Sequence, residues 1–147
     1  MLKTGEKAPD FALAASDGTT VRLSDFSGTA AVVLIFYPGD QTPGCTKQLC
    51  AVRDDYAAFT SQNVKVFGVN PAGVGSHEKF VKRYSFPFPL LVDEKGETAK
   101  AYGCSKGPFV TRTVYAIDKD GTIVFAKRGM PSNSEILEAI RNAQAGT

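Results

Sequence analysis

Apolar runs bounded by turn-forming residues divide the chain into strands and helices. Residues 30–37 form a continuous run of β-branched, aromatic and alanine residues, which is typical of a strand buried on both faces. Shorter apolar runs predict four further strands, at 64–69, 89–92, 111–117 and 122–127. Amphipathic periodicity predicts four helices, at 43–62, 76–84, 97–102 and 134–143.

The predicted order of elements is β-α-β-α-β-α-β-β-α. The last two strands are joined by residues 118–121, which have the composition of a hairpin turn with a glycine at positive φ. Strands that alternate with helices and end in a hairpin predict an α/β fold, in which a central mixed β-sheet is flanked by helices on both faces. No repeat, linker or shift in composition divides the chain, so we expect a single domain over residues 1–147.

Composition and charge argue against several classes of function. Hydrophobic residues make up 43% of the chain and charged residues 22%, which is the balance of a globular protein. The net charge is only +2 and no lysine-arginine tract occurs, so we expect no nucleic-acid partner and no anionic membrane surface. Residues 1–11 lack the apolar run of a signal peptide, and the run at 30–37 is too short to cross a bilayer. We therefore expect a cytoplasmic protein, in which three cysteines do not form a disulfide framework.

The residues before Cys45 indicate a helix start. Thr42 is expected to cap the free backbone N–H groups, and Pro43 suits the first helical position because its missing N–H would be unpaired anyway. Cys45 is then the third helical residue, where N–H donors and the positive end of the helix dipole favour a thiolate over a thiol. Because the thiolate is the nucleophile, this position promotes reactivity.

The periodicity of the same helix indicates where each sulfur points. Leu49, Val52 and residues further along form one apolar stripe, and Cys45 lies in line with it. Cys50 is rotated by about 140° from Cys45 and is expected to face outward. A cysteine on an apolar stripe is usually a small buried hydrophobe, but the approach through Thr42 and the second thiol favour a reactive site.

The motif and its spacing resemble a known family. Residues 38–45 match the Pro-x-x-x-Thr-x-x-Cys signature of peroxiredoxins, and Cys50 stands where the peroxiredoxin Q (bacterioferritin comigratory protein) subfamily carries its resolving cysteine. Arg112, within residues 110–118, corresponds to the later arginine of the family. The resemblance runs from residue 5 to the last predicted helix, which is nearly the whole chain.

The resemblance implies a thioredoxin-like fold with an N-terminal extension and a peroxidase site. Cys45 would attack the hydroperoxide, and Cys50 would then close an intramolecular disulfide. Thr42 would hydrogen-bond the peroxide, Pro38 would shield the site from water, and Arg112 would hold the thiolate and polarise the O–O bond. A guanidinium and helix N–H groups suit the negative charge that develops on the leaving oxygen.

The resemblance also implies the partners of the reaction. Hydrogen peroxide or an organic hydroperoxide would be the substrate, and thioredoxin, or else glutaredoxin, would reopen the disulfide. No cofactor or metal is needed, and the subfamily is mainly monomeric with some dimers. One departure from the family is Gln48, which replaces an acidic residue, and its lost charge should anchor a nearby arginine less firmly.

Helix geometry sets a condition on the disulfide. In a regular helix, the Cα atoms of Cys45 and Cys50 are about 8.5 Å apart. A disulfide generally needs Cα atoms within about 7 Å and converging Cβ vectors. We therefore expect at least the first turns of the helix to unwind before the two sulfurs bond.

Two other classes of function remain open at this point. A thiol-disulfide oxidoreductase acting on proteins would share the fold, although such enzymes use Cys-x-x-Cys and here four residues separate the thiols. A non-enzymatic thioredoxin-like binding or chaperone module is the second.

Cys104 is a less favoured resolving thiol, and His77 is expected to open a surface helix and not to act as a base. The cysteines and His77 lack zinc-site spacing, and residues 73–75 lack the third glycine of a dinucleotide loop.

Overall fold

The fold is that of a computed structural model, which describes residues 1–145. The strands are β1 (Ala12–Ala15), β2 (Thr20–Arg22), β3 (Ala31–Phe36), β4 (Val64–Asn70), β5 (Leu90–Val92), β6 (Ser105–Lys106), β7 (Phe109–Val110), β8 (Thr113–Ile117) and β9 (Ile123–Arg128). The helices are α1 (Pro43–Asp54), α2 (Tyr56–Ser61), α3 (Val74–Tyr84), α4 (Glu97–Ala101) and α5 (Asn133–Ala145), and a 3-10 turn spans Leu23–Phe26.

Seven strands form one mixed sheet in the order β2-β1-β5-β4-β3-β8-β9. The strands β3, β4 and β5 are parallel, whereas β8 runs antiparallel to β3, β9 to β8, and β1 to both of its neighbours. All six residues of β3 are buried, as the continuous apolar run predicts for a strand covered on both faces. The prediction of a central mixed sheet is confirmed.

Two hydrophobic clusters lie on opposite faces of this sheet, because successive side chains of β3 point to opposite sides. Val33 and Ile35 pack with apolar residues of α1, α2, α3 and α5. Val32 and Leu34 pack on the other side with residues of the 3-10 turn, α4 and the N-terminal segment. Helices therefore cover both faces, as predicted.

The predicted helix over 43–62 is two helices, with the break at Asp55. The backbone of Asp55 has φ −106° and ψ 14°, which ends α1 and begins α2. The Asn133 side chain donates to the Ala51 carbonyl at 3.1 Å and to Asp55 Oδ2 at 2.9 Å. These bonds from the start of α5 hold the C-terminal end of α1, and periodicity along α1 alone could not indicate them.

The remaining predictions agree within a few residues. The hairpin turn before β9 has Gly121 at φ 84°, as expected. Ser132 caps α5, since its hydroxyl accepts from the Glu135 N–H at 3.2 Å and its own N–H donates to the Glu135 carboxylate at 2.9 Å. The predicted strands do not include β1, β2 or the hairpin of β6 and β7, because each of these strands is only two to four residues long. The single domain over 1–147 stays a prediction, and residues 146 and 147 lie outside the described part.

Candidate active site

Cys45 lies in the first turn of α1, the helix that follows the central strand β3 after a short loop. It is the third residue of that helix, with no exposed surface, and packs among the residues on the α1 side of the sheet. The first residue of β8, Thr113, pairs with Phe36, the last residue of β3, so Arg112 lies beside the start of α1. Its Nη2 donates to Cys45 Sγ at 3.3 Å. The structure thus brings the predicted nucleophile into contact with a guanidinium.

Thr42 occupies the N-cap position of α1, but the prediction that its side chain caps the helix is wrong. Its hydroxyl donates to the Gly39 carbonyl at 2.9 Å and accepts from none of the helix N–H groups. Gln41 adopts a positive φ of 58°, which turns the loop back toward Gly39 and draws the hydroxyl away. The first-turn N–H groups around Cys45 are therefore left without a side-chain acceptor from the cap, which suits an anion.

Gln48 anchors Arg112 in spite of its missing charge. Its Oε1 accepts from Arg112 Nη1 at 2.7 Å, and its Nε2 lies 3.4 Å from the Gly129 carbonyl. A Cβ added to Gly44 would lie 3.0 Å from Arg112 Nη2, so the guanidinium also rests against the backbone of α1. An amide oxygen thus accepts from the guanidinium where the resemblance leads to a carboxylate, and Arg112 stays in contact with the sulfur. The less firm anchoring stays a prediction.

Cys50 lies further along the same uninterrupted helix, as predicted. It is partly buried at the edge of the cluster that encloses Cys45, and both thiols are free. Because α1 is regular from Pro43 to Asp54, the two Cα atoms are about 8.5 Å apart, beyond the reach of a disulfide. Pro38 is exposed two residues after the end of β3, and its shielding of Cys45 stays a prediction.

His77 is buried, so the prediction of a surface position is wrong. Its side chain has no exposed surface, and its Nδ1 lies 2.6 Å from Asp40 Oδ2. The signal was present in the sequence, because His77 precedes Phe80 by three residues and Tyr84 by seven, which places all three on one helical face. His77 and Asp40 are therefore functional candidates that the sequence analysis missed.

The ionisation of Asp40 and of its neighbour Tyr37 follows from burial and hydrogen bonding. Burial alone would raise the pKa of Asp40, but hydrogen bonds from His77, Tyr37 and Ser76 outweigh it and lower the pKa below its ordinary value. Burial, and then the charges of Asp40 and Cys45, raise the pKa of Tyr37 well above its ordinary value. Tyr37 therefore stays a hydrogen-bond donor, and Asp40 stays a carboxylate.

Cys104 lies on the other side of the sheet from Cys45. It is fully buried in the cluster that contains Val32 and Leu34. Burial raises the pKa of the Cys104 thiol, which disfavours its nucleophilic form. This position and environment both argue against Cys104 as the resolving thiol.

Within residues 1–145, no cluster of three or more acidic, cysteine or histidine side chains is placed to bind a metal, and no helix is long and apolar enough to cross a membrane.

The sheet, the buried Cys45 at a helix start and the arginine on its sulfur define a thioredoxin-like protein with one specially placed thiol. The chain belongs to the AhpC/TSA family, whose model matches residues 4–126. It is 35% identical over 148 residues to peroxiredoxin Bcp of Bacillus subtilis (strain 168). The aligned region covers 95% of this chain and 94% of that protein.

Plant and mycobacterial proteins are similar as well. The chloroplastic peroxiredoxin Q of Oryza sativa subsp. japonica is 43% identical over 124 residues, which is 82% of this chain and 57% of that protein. The chain therefore spans little more than half the length of this plant relative. The crystal structure of peroxidoxin BcpB from Mycobacterium tuberculosis superposes with a TM-score of 0.90 at 32% identity, covering 97% of this chain and 98% of the other.

We predict that Cys104 resists alkylation in the native protein. Its burial and raised pKa both disfavour an accessible thiolate, so brief iodoacetamide treatment of the reduced protein at neutral pH should leave it unmodified. Peptide mass spectrometry measures the modification, and the same treatment in guanidinium chloride, where all three cysteines should react, is the control. Alkylation of native Cys104 as fast as that of Cys50 would contradict this account.

Proposed function

We propose that this chain is a thiol-dependent peroxidase that reduces hydrogen peroxide and organic hydroperoxides through Cys45. The observation that carries the proposal is the contact of Arg112 Nη2 with Cys45 Sγ at 3.3 Å, at the start of a helix with free N–H groups. The relatives named peroxiredoxin Q and peroxiredoxin Bcp support it.

The peroxide step is a displacement at oxygen. The Cys45 thiolate attacks one peroxide oxygen, a S–O bond forms as the O–O bond breaks, and the other oxygen leaves with the electron pair and takes a proton. Cys45 becomes a sulfenic acid, and the product is water or an alcohol. Arg112 and the first-turn N–H groups are placed to stabilise the charge on the leaving oxygen. We assign Thr42, whose exposed hydroxyl lies at the helix start, to binding the peroxide, and Pro38 to limiting water.

The resolving step forms the disulfide. The Cys50 sulfur attacks the sulfenic sulfur of Cys45, the S–OH bond breaks, and the hydroxyl leaves as water. Since α1 holds the two cysteines apart, the segment between them must unwind first. The hydroxyl of Thr46 is buried in the helix with no hydrogen-bond partner among residues 1–145, a cost that unwinding would relieve. A thioredoxin-type dithiol, or glutaredoxin, then reduces the disulfide.

The burial of Cys45 favours this function over protein disulfide exchange. Its sulfur has no exposed surface, and attack on a disulfide requires an accessible thiolate. A hydroperoxide needs a much smaller opening than a disulfide within a folded partner.

We further propose that the protein works as a monomer in the cytoplasm, where thiol reductants keep its three cysteines reduced, without a nucleic-acid or membrane partner.

A coupled assay tests the proposal. With thioredoxin, thioredoxin reductase and NADPH, the wild type should consume peroxide continuously, and Cys45→Ser should abolish consumption. Cys50→Ser should reduce one equivalent of peroxide and then stop, because no resolving thiol remains. Cys104→Ser is the matched control and should leave turnover intact. Peroxide consumption by Cys45→Ser at the wild-type rate would refute the assignment of the nucleophile.

The role of Gln48 gives a second prediction. In Gln48→Glu, a carboxylate replaces the amide oxygen that already holds Arg112 Nη1 at 2.7 Å. Because the arginine is anchored in both proteins, the second-order rate constant with hydrogen peroxide should change by no more than about tenfold, or about 1.4 kcal/mol in the barrier. Competition kinetics against a reference peroxidase measures it, and a larger change in either direction would show that the charge itself controls the step.

A further inference from the structure

The loop between β3 and α1 rests on a buried polar network. The Asp40 side chain in this loop is only 4% exposed. It accepts hydrogen bonds from the Tyr37 hydroxyl at 2.6 Å and the Ser76 hydroxyl at 2.7 Å, and contacts His77 Nδ1 at 2.6 Å. We call these four residues (Tyr37, Asp40, Ser76 and His77) the loop anchor.

The contacts of His77 determine how many protons the loop anchor holds. Its Nε2 lies 2.9 Å from the Leu91 carbonyl and 3.3 Å from the Asn70 carbonyl, which are both acceptors, so Nε2 carries a hydrogen. The Nδ1 of a neutral ring would then face the Asp40 carboxylate with no hydrogen between them. The short contact therefore holds a proton between the ring and the carboxyl group, and a buried pair of this kind is costly to break.

The loop anchor joins the loop to several elements at once. Ser76 and His77 belong to α3, and His77 reaches the backbone of β4 and β5. The Asn70 side chain donates to the Tyr37 carbonyl at 2.8 Å, which closes the ring of contacts. The next residue along the loop, Gln41, accepts from Arg83 Nη1 at 2.9 Å, so α3 holds it too.

The far end of α1 is held separately. Arg53 Nη1 donates to the Tyr84 carbonyl at 2.6 Å, and Asn133 donates to the Ala51 carbonyl and to Asp55. Residues 42–50 lie between these two attachments. Within residues 1–145, the side-chain hydrogen bonds that join this segment to other elements run through Arg112 and Gly129.

We propose that Asp40 and His77 are positioning residues that fix residues 37–41. With this loop fixed, only the segment 42–50 unwinds. The two residues thereby set the balance between the folded and the unwound form of that segment. This inference rests on the proposed function. While the loop is fixed, the start of α1 keeps Cys45 beneath Arg112 and the peroxide step is favoured. If the anchor is loosened, the folded form is less populated, so the peroxide step slows and the disulfide step accelerates.

The test measures the two steps separately. Competition kinetics gives the second-order rate constant of the peroxide step, and rapid quenching with mass spectrometry gives the first-order rate constant of disulfide formation. Asp40→Ala should lower the rate constant of the peroxide step by about tenfold or more, and it should raise the rate constant of disulfide formation. Arg83→Met removes the link to Gln41 and the contact of the guanidinium with the Tyr84 ring at 5.3 Å, but leaves the four residues of the loop anchor intact. It should move both rate constants in the same directions by less, and it keeps the test available if Asp40→Ala does not fold.

The conservative variant distinguishes positioning from a general loss of packing. In Asp40→Asn, the amide N–H can donate to a neutral His77 Nδ1 while the amide oxygen accepts from Tyr37, so both constants should return most of the way to wild type. Glu78→Gln is the matched control, because the Glu78 side chain lies on α3 in an exposed pair with Lys82 at 3.5 Å. It should leave both constants unchanged.

The outcomes separate this inference from the proposed function. If Asp40→Ala and Arg83→Met leave both constants at wild-type values, or lower both together, the positioning role is overturned while the peroxidase assignment stands. A failure of Asp40→Asn to restore the constants also overturns it. If the wild type itself forms no sulfenic acid with hydrogen peroxide, the proposed function fails first.

Discussion

The placement of both thiols on one uninterrupted helix is the constraint on which the rest of the structure depends. The turn that sets Cys45 among free N–H groups also keeps it about 8.5 Å from Cys50, because the helix is regular from Pro43 to Asp54. The geometry that suits the proposed attack on peroxide therefore prevents the proposed disulfide. The proposed cycle needs two arrangements of the same short segment, and the remaining fold must stay in place while the segment changes.

The sheet provides that fixed frame. β3 lies at its centre, buried on both faces, and delivers the chain directly into the loop before α1. The antiparallel pairing of β8 with β3 brings Arg112 to the end of β3 at which α1 begins, although 67 residues separate it from Cys45. α3 lies against the same loop and supplies His77 and Arg83. Each partner of the site thus comes from an element whose position the core fixes.

Local patterns were sufficient for some of these features and not for others. The apolar run of β3 predicted the strand, the Thr42-Pro43 approach predicted the helix start, and the apolar stripe of α1 predicted the burial of Cys45. Each of these patterns involves residues that lie close together in the sequence. Arg112 carried no local signal and was indicated only by family resemblance. The Thr42 cap was predicted wrongly because its hydroxyl has a nearer acceptor that only the turned loop presents. The pairing of Asp40 with His77 spans 37 residues and depends on the packing of α3, which periodicity does not report.

Hydrogen exchange of the reduced and oxidised protein, followed by mass spectrometry, reports whether α1 opens when the disulfide forms. We expect oxidation by one equivalent of peroxide to remove protection from the helical amides of residues 46–50. The amides of β3 and α3 should keep their protection in both forms, since the frame does not move. A fully formed disulfide between Cys45 and Cys50 with undiminished protection at residues 46–50 would show that the helix need not open, and would contradict the account.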